Sequence, residues 1–98
     1  MARPAFVEAL ERGDPELLKH VAAIQELAGK DGALPAKVKT LMGMLGDAIL
    51  GHADGVKSIA GRARTQGASE QEIAETVRMA LLFAGMPGLV TGTNAFRK

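Results

Sequence analysis

The chain has 98 residues, of which 47% are hydrophobic and 23% are charged. This composition is typical of one folded domain rather than of two domains or a disordered tail. The chain has twelve basic and eleven acidic residues and no block of lysine or arginine. It therefore lacks the charge pattern of nucleic-acid-binding proteins and of proteins with a polybasic membrane anchor.

The absence of cysteine removes several kinds of chemistry. Disulfides, thiolate nucleophiles and cysteine-ligated metals are excluded. The N-terminal stretch Met1–Pro4 lacks the apolar region of a signal peptide, and no window approaches the ~18 apolar residues of a transmembrane helix. We therefore expect a cytoplasmic protein with no membrane or nucleic-acid partner and no cofactor.

The first third of the sequence predicts two short helices. Pro4 starts the first one and Gly13 stops it. Asp14 can cap the second helix, with Pro15 at its first position. The second helix carries an apolar stripe at helical spacing, formed by Leu17, Val21, Ile24 and Ala28.

Two longer helices follow on either side of a glycine-rich joint, Gly51–Gly55. The helix before the joint contains Gly43 and Gly46, each of which costs about 1 kcal/mol relative to alanine. Such a cost is typical of close approach by another helix or a ligand. The apolar face of this helix is predicted to be Val38, Leu41, Met42, Leu45, Ala48 and Ile49. The buried face of the helix after the joint is predicted to be Val56, Ile59, Ala60 and Ala63.

The boundary between the fourth and fifth helices is the clearest in the chain. Gly67 ends the fourth helix. Its Arg62 and Arg64 are predicted to form a solvated face, with contact to a phosphate or a carboxylate as the alternative. Ser69 and Glu72 then form a capping box, in which each side chain can accept a hydrogen bond from a free backbone N–H of the other residue. A helix is therefore predicted to start just after Ser69.

The fifth helix carries two apolar stripes instead of one. One stripe consists of Ile73, Val77, Ala80 and Ala84. The other, which we call the α5 stripe, consists of Met79, Leu82, Phe83 and Met86. Leaving the α5 stripe in water would forgo roughly 1.5 to 3 kcal/mol for each large side chain. We therefore predict that it is buried against another copy of the chain in a homo-oligomer.

These patterns predict one all-α domain that spans residues 1–98. Residues 1–33 form an N-terminal helical hairpin in this prediction, and residues 34–98 form the core. The turn Gly85–Gly88 leads into a final short helix, which brings the number of helices to about six. No strand-like alternation, internal repeat or low-complexity segment is present in the sequence.

A family resemblance rests on four stretches of the sequence: Lys39–Met42, Gly67–Ile73, Ala84–Gly88 and Asn94–Phe96. They resemble the carboxymuconolactone decarboxylase family, which also contains the alkylhydroperoxidase D proteins. The strongest part is the capping box followed at a fixed distance by the Ala-Gly-x-Pro turn. The resemblance implies an AhpD-like helical bundle assembled as a trimer or hexamer.

The positions that carry chemistry in relatives of this kind hold other residues here. Family members with thiol peroxidase activity resemble one another in four residues at fixed spacing. A Glu is separated by eleven residues from a Cys, that Cys by two residues from a second Cys, and the second Cys by three residues from a His. Those four positions hold Thr40, His52, Gly55 and Ile59 in this chain. The dithiol reaction needs one thiolate to attack the peroxide and a second to resolve the product, so hydroperoxide reduction by that route is excluded. The decarboxylase members also resemble one another in a His where this chain has Ile59.

Candidate substrate-binding and catalytic residues surround the joint. The substrate-binding candidates are Thr40, Gly43, Gly55 and Ile59. The catalytic candidates are Asp47 and His52, which can form an acid–base pair if the helix breaks at Gly51. A helix running straight through would turn them about 140° apart. A structural alternative makes Asp47 a solvated polar residue and His52 a capping or interface histidine.

An anion site and a metal site are two further possibilities in this sequence. His52 opens the fourth helix, where free N–H groups and the positive end of the helix dipole favour an anion. His20 and His52, with scattered carboxylates, match no metal-ligand spacing. No metal site is therefore predicted, apart from the weak possibility that His52 side chains of several subunits converge on a symmetry axis.

Three functions stay open on this sequence. The first is non-redox binding or conversion of a small organic acid or lactone at an intersubunit pocket; as an enzyme, such a protein would be a decarboxylase-like lyase rather than a thiol peroxidase. The second is a catalytically degenerate oligomeric scaffold or partner subunit. The third is a role linked to peroxide detoxification that needs an external thiol. The third function is tested by mixing the protein with a thiol donor and a hydroperoxide. If the hydroperoxide is turned over no faster than by the donor alone, this function is excluded.

Overall fold

The computed structural model describes residues 4–98, which form helices joined by short turns. Met1–Arg3 lie outside this range. They belong to the stretch Met1–Pro4, which was expected not to be part of a signal peptide. Within it, five α-helices and a 3₁₀ helix occur and no strand is present, which confirms the all-α prediction. The elements are α1 (Ala5–Gly13), α2 (Pro15–Gly29), α3 (Ala36–Leu50), α4 (Ala53–Thr65), α5 (Glu70–Gly92) and the 3₁₀ helix Thr93–Phe96.

The chain divides into two compact units, one reaching Lys30 and the other spanning Asp31–Lys98. The first unit is the hairpin of α1 and α2. Asp14 separates its helices and caps α2, because Asp14 Oδ1 accepts a hydrogen bond from the Leu17 N–H at 3.0 Å. Neither α1 nor α2 contains a buried residue, so the hairpin has no interior core of its own.

The second unit packs α3, α4 and α5 around small side chains. Most of the core residues are alanines, which allow helix backbones to approach closely. The buried apolar residues are Met44, Ala48, Val56, Ala60, Ala63, Ala68, Ile73, Val77, Ala80 and Ala95. The predicted inner faces of α4 and α5 are therefore largely confirmed, with Ile59 packed at the edge of the core.

The buried face of α3 is rotated from the predicted one. Thr40, Met44 and Ala48 are buried, whereas Met42 and Ile49 are 55% and 42% exposed. Met42 and Ile49 belong to the predicted apolar face of α3 but lie outside the core of this unit. Because α3 is apolar on two sides, helical periodicity alone does not select the side that meets α4 and α5.

The predicted capping box is present at the start of α5. Ser69 Oγ accepts from the Glu72 N–H at 3.0 Å, and Glu72 Oε1 accepts from the Ser69 N–H at 2.8 Å. Lys37 Nζ on α3 lies 3.0 Å from Glu72 Oε2. The Ser69 N–H and then the Lys37 ammonium lower the pKa of the Glu72 carboxyl. This end of α5 is thus tied both to its own backbone and to α3.

Arg64 makes the carboxylate contact that was the alternative to a solvated face. Its Nε donates to Glu70 Oε2 at 2.7 Å and its Nη2 donates to Glu70 Oε1 at 2.9 Å. The same Nη2 donates to the Ala95 carbonyl at 2.8 Å. The bidentate guanidinium lowers the pKa of the Glu70 carboxyl. Arg64 therefore joins α4 to the start of α5 and to the C-terminal 3₁₀ helix.

The turn predicted at Gly85–Gly88 interrupts α5. Gly85 has φ 66° and ψ −159°, a conformation that suits glycine because it has no Cβ. A Cβ at Gly88 would lie 2.6 Å from Ala84 Cβ. The chain therefore folds closely on itself here, and the predicted final helix corresponds to the C-terminal part of an interrupted α5 followed by the 3₁₀ helix Thr93–Phe96.

The segment Glu70–Phe96 is long and apolar enough to cross a membrane by length and composition alone, since an 18-residue window within it has a mean hydropathy of 1.4. By this measure the expectation that no window approaches a transmembrane helix was wrong. Core helices of water-soluble proteins meet the same criterion, and this segment departs from helical geometry at Gly85. Its composition therefore does not decide its environment.

Replacing Ser69 with Ala tests the capping box. The hydroxyl that accepts from Glu72 N–H is lost, and the free energy of unfolding should fall by about 1 kcal/mol. Urea denaturation measures the change. Ser58→Ala, at an exposed serine inside α4, is the matched control and should have a much smaller effect. Equal losses in both variants would contradict a specific cap.

Acid should destabilise the chain through Glu70 and Glu72. Both carboxyls have pKa values lowered below the ordinary 4.5, so their stabilisation is present above pH 4.5 and is lost as pH falls through the lower folded-state values. Urea midpoints between pH 7 and pH 3 measure this dependence. The double variant Glu70→Gln with Glu72→Gln should flatten the curve, whereas Glu75→Gln, at an exposed position on α5, should not. A curve unchanged in the double variant would contradict the assignment.

Candidate functional site

The helical run breaks at Gly51, between α3 and α4. Gly51 lies in the left-handed region at φ 83° and ψ 22°, which strongly favours glycine. The His52 N–H then donates to the Asp47 carbonyl at 2.8 Å, and α4 begins at the next residue. The break on which the predicted acid–base pair depended is therefore present.

This break brings the side chains of Asp47 and His52 together. His52 Nδ1 lies 3.2 Å from Asp47 Oδ1. An ionised carboxylate only accepts hydrogen bonds, so this contact assigns the ring proton to Nδ1 and leaves Nε2 as the proton acceptor. The His52 side chain is 59% exposed and that of Asp47 is 25% exposed. His52 is the N-cap residue of α4, but its side chain makes no capping bond there.

Gly55 makes room for the Asp47 carboxylate. A Cβ built at Gly55 would overlap Asp47 Oδ2, so the carboxylate lies against the first turn of α4. The positive end of that helix interacts favourably with a negative charge there. The anion expected at the start of α4 is therefore supplied, at least in part, by the chain's own Asp47.

The facing sides of α3 and α4 form what we call the seam: Gly43, Asp47, His52, Gly55 and Ile59. The Cβ position of Gly43 lies 4.0 Å from Ile59 Cδ1, and that of Gly55 meets the Asp47 carboxylate. These pairings show that α4 runs back along α3 from the break. The structure thus brings three of the four substrate-binding candidates to the same seam as the catalytic pair. Thr40 is 7% exposed and lies in the core.

An open space in this unit lies elsewhere, in what we call the apolar groove. It has a volume of ≈ 280 Å³ and is lined by Val38, Leu41, Met42, Leu45, Glu75, Thr76 and Met79. At 100° per residue, its α3 side chains lie on roughly the opposite side of the helix from Gly43 and Asp47. The groove therefore contains none of the predicted site residues. Its signal in the sequence was the second apolar side of α3, which was assigned to the core.

Metal ligands are not clustered in the described range. Residues 4–98 contain no group of three or more His, Cys, Asp or Glu side chains placed to hold a metal ion. His20 is exposed on α2, in the other unit from His52. The site chemistry within one chain therefore rests on the contact between Asp47 and His52.

Most of the chain is similar to a known protein family. The model of the carboxymuconolactone decarboxylase family matches residues 15–98. The chain belongs to the carboxymuconolactone decarboxylase family. The match covers α2 to the C-terminus and confirms the resemblance seen in the four sequence stretches.

A solved structure is also similar to this family member. It is the crystal structure of apo-lpg0406, a carboxymuconolactone decarboxylase family protein from Legionella pneumophila, with a TM-score of 0.84 and 26% sequence identity. The similarity covers 91% of this chain and 80% of that chain. No curated protein matches the sequence significantly.

Replacing Gly55 with Ala tests how the pair is held. The new Cβ overlaps the Asp47 carboxylate, so the contact with His52 Nδ1 should be lost and the free energy of unfolding should fall by about 1 to 3 kcal/mol. Nitrogen-15 NMR of the imidazole detects the tautomer change. Gly46→Ala is the matched control: no side chain and no other helix lies within 4 Å of its Cβ position in the described residues, so stability should rise by up to about 1 kcal/mol. Unchanged His52 signals in Gly55→Ala would contradict this arrangement.

Proposed function

We propose that this family member binds a small lactone or organic acid at the seam and moves a proton to or from it through His52. The observation that supports this function is the 3.2 Å contact between His52 Nδ1 and Asp47 Oδ1. A histidine oriented by a carboxylate is a common general acid–base arrangement. With no cysteine in the chain, a lyase-type reaction is favoured over a thiol peroxidase reaction.

The pair can transfer a proton without any other group. Nε2 accepts a proton from a bound substrate, the ring becomes an imidazolium, and the adjacent Asp47 carboxylate stabilises that positive charge. The proton returns from Nε2 to the product in a later step, which restores the neutral ring. Gly43 and Ile59 lie along the same seam and offer an apolar surface beside the pair.

The fixed charge of the pair favours one substrate class over the other. Asp47 supplies a negative charge against the start of α4, so a free carboxylate placed next to it would meet like-charge repulsion. A lactone carbonyl carries no net charge and avoids that repulsion. We therefore propose a lactone as the preferred substrate class, with any carboxylate of the substrate held away from Asp47.

Self-association is part of the proposal. The α5 stripe is exposed in the single chain, with Leu82 at 71% and Phe83 at 62%. His52 is also largely exposed, so another subunit is needed to exclude water from the seam. We propose a cytoplasmic homo-oligomer, a trimer or hexamer, with an intersubunit pocket. The exposed α5 stripe equally supports the second candidate function, an oligomeric scaffold without catalysis.

A dye-reported thermal shift against lactones and small carboxylates tests the binding site. Dye detection is needed because the chain has no Trp or Tyr. A ligand at 100 times its dissociation constant should stabilise the protein by about 2.7 kcal/mol. His52→Ala should abolish the shift, and Asp47→Asn should weaken it because Nδ1 loses its charged partner.

The control for this experiment is His20→Ala, which removes an exposed histidine from α2 and should leave the shift intact. Light scattering on each variant monitors assembly. Loss of assembly in His52→Ala would make His52 an interface residue instead of a ligand-binding residue. A ligand shift that survives His52→Ala, or no shift across the whole panel, would contradict the proposed site and leave the scaffold function.

A further inference from the structure

The apolar groove lies between α3 and α5 and contains none of the residues of the proposed site at the seam. Its volume of ≈ 280 Å³ is roughly twice that of an apolar cavity of about 150 Å³ that binds benzene. Its α3 wall runs from Val38 to Leu45, a rise of about 10 Å along the helix axis. The groove therefore has room for one six-membered ring that carries a short chain.

Two methionines form the most exposed part of the apolar walls of the groove. Met42 on α3 is 55% exposed, and Met79 on α5 is 38% exposed. Met79 also belongs to the α5 stripe, whose other members do not line the groove. A ligand that covers these side chains removes apolar surface from water. Thioether sulfur makes favourable contacts with aromatic rings, so the walls favour an aryl group over a purely aliphatic one.

The polar side chains at the groove are hydrogen-bond acceptors. Thr76 Oγ1 donates its proton to the Glu72 carbonyl at 2.8 Å, which leaves the hydroxyl oxygen as an acceptor for a ligand. Glu75 lines the groove beside Thr76, and its ionised carboxylate accepts hydrogen bonds but donates none. A ligand that satisfies both side chains must therefore donate hydrogen bonds.

The groove also carries a negative charge that no neighbouring cation neutralises. Glu75 is exposed, and within residues 4–98 its carboxylate forms no ion pair. The Lys37 ammonium is paired elsewhere, because Lys37 Nζ lies 3.0 Å from Glu72 Oε2. Arg78 follows Glu75 by three residues but is not among the residues that line the groove. This charge favours a cationic ligand over an anionic one.

We propose that the apolar groove binds a small aryl-alkyl primary amine. The ammonium group of the ligand lies against Glu75 and Thr76, and the ring lies against Met42 and Met79. A primary ammonium group offers three N–H donors to the two acceptors, whereas a quaternary ammonium group offers none. This site is separate from the seam and goes beyond the function proposed there.

Methyl NMR of the full-length chain tests the site, because the methionines report on it individually. Protein labelled with carbon-13 at the methionine methyl groups is titrated at neutral pH with phenethylamine, phenethyl alcohol and phenylacetate. Met42 and Met79 should shift, and phenethylamine should bind most tightly of the three. Met44, which is 1% exposed in the core, and Met86, which does not line the groove, are internal controls and should shift little.

Substitutions at Glu75 test the charge. Glu75→Gln should weaken phenethylamine binding about two- to fivefold, the effect of losing an exposed ion pair, and leave phenethyl alcohol unaffected. Glu75→Lys should reverse the preference, so that phenylacetate binds more tightly than phenethylamine. The matched control is Glu26→Gln, at an exposed acidic residue of α2, which should change none of the three dissociation constants. Phenethylamine binding should also persist in His52→Ala, which separates this site from the seam.

Each other outcome overturns the proposal. Equal dissociation constants for phenethylamine and phenethyl alcohol, or a preference for the amine that survives Glu75→Lys, would show that the charge plays no part. Methyl signals of Met42 and Met79 that respond to protein concentration but to none of the three compounds would assign the groove to a second copy of the chain. Signals that respond to neither would show that the groove takes no small ligand.

A thermal shift with lactones that is absent or independent of His52 would contradict the function at the seam alone and leave the amine site standing.

Discussion

The left-handed backbone at Gly51 is the constraint on which the candidate site depends. A side chain at this position would disfavour φ 83°, and a continuous helix would point Asp47 and His52 in different directions. The break instead sends α4 back along α3, so that residues on both sides of the joint meet in pairs. Gly55 completes the arrangement, because only a residue without Cβ leaves space for the Asp47 carboxylate. Two glycines therefore position one carboxylate and one imidazole.

Small side chains and terminal contacts hold the rest of the second unit around that break. The core is built mostly from alanines, which bury little area individually but let α3, α4 and α5 pack closely. Polar contacts then join the helix ends: Lys37 to Glu72, and Arg64 to Glu70 and the Ala95 carbonyl. Charge-assisted hydrogen bonds of this kind add geometric specificity to a core that is small.

In the single chain, the apolar groove and the acid–base pair lie in different places. The acid–base pair lies on the seam, while the open volume lies on the other side of α3 in the apolar groove. Large apolar side chains also remain exposed on α2 and α5. A monomer with these surfaces in water forgoes a substantial hydrophobic contribution. The self-association proposed above would close the seam to water and cover the exposed apolar surfaces.

Local rules in the sequence were sufficient for the helices, the Asp14 cap, the Ser69–Glu72 box, the turn at Gly85 and the family. Each depends on residues within a few positions of one another, so the pattern carries the information. The sequence also named Asp47 and His52, conditional on the break at Gly51. Only the tertiary structure decided which side of α3 is buried, that Arg64 bonds Glu70, and that Thr40 lies in the core. Those outcomes depend on contacts between residues far apart in the sequence. For a helix that is apolar on two sides, such as α3, its own sequence does not indicate which side packs against the other helices.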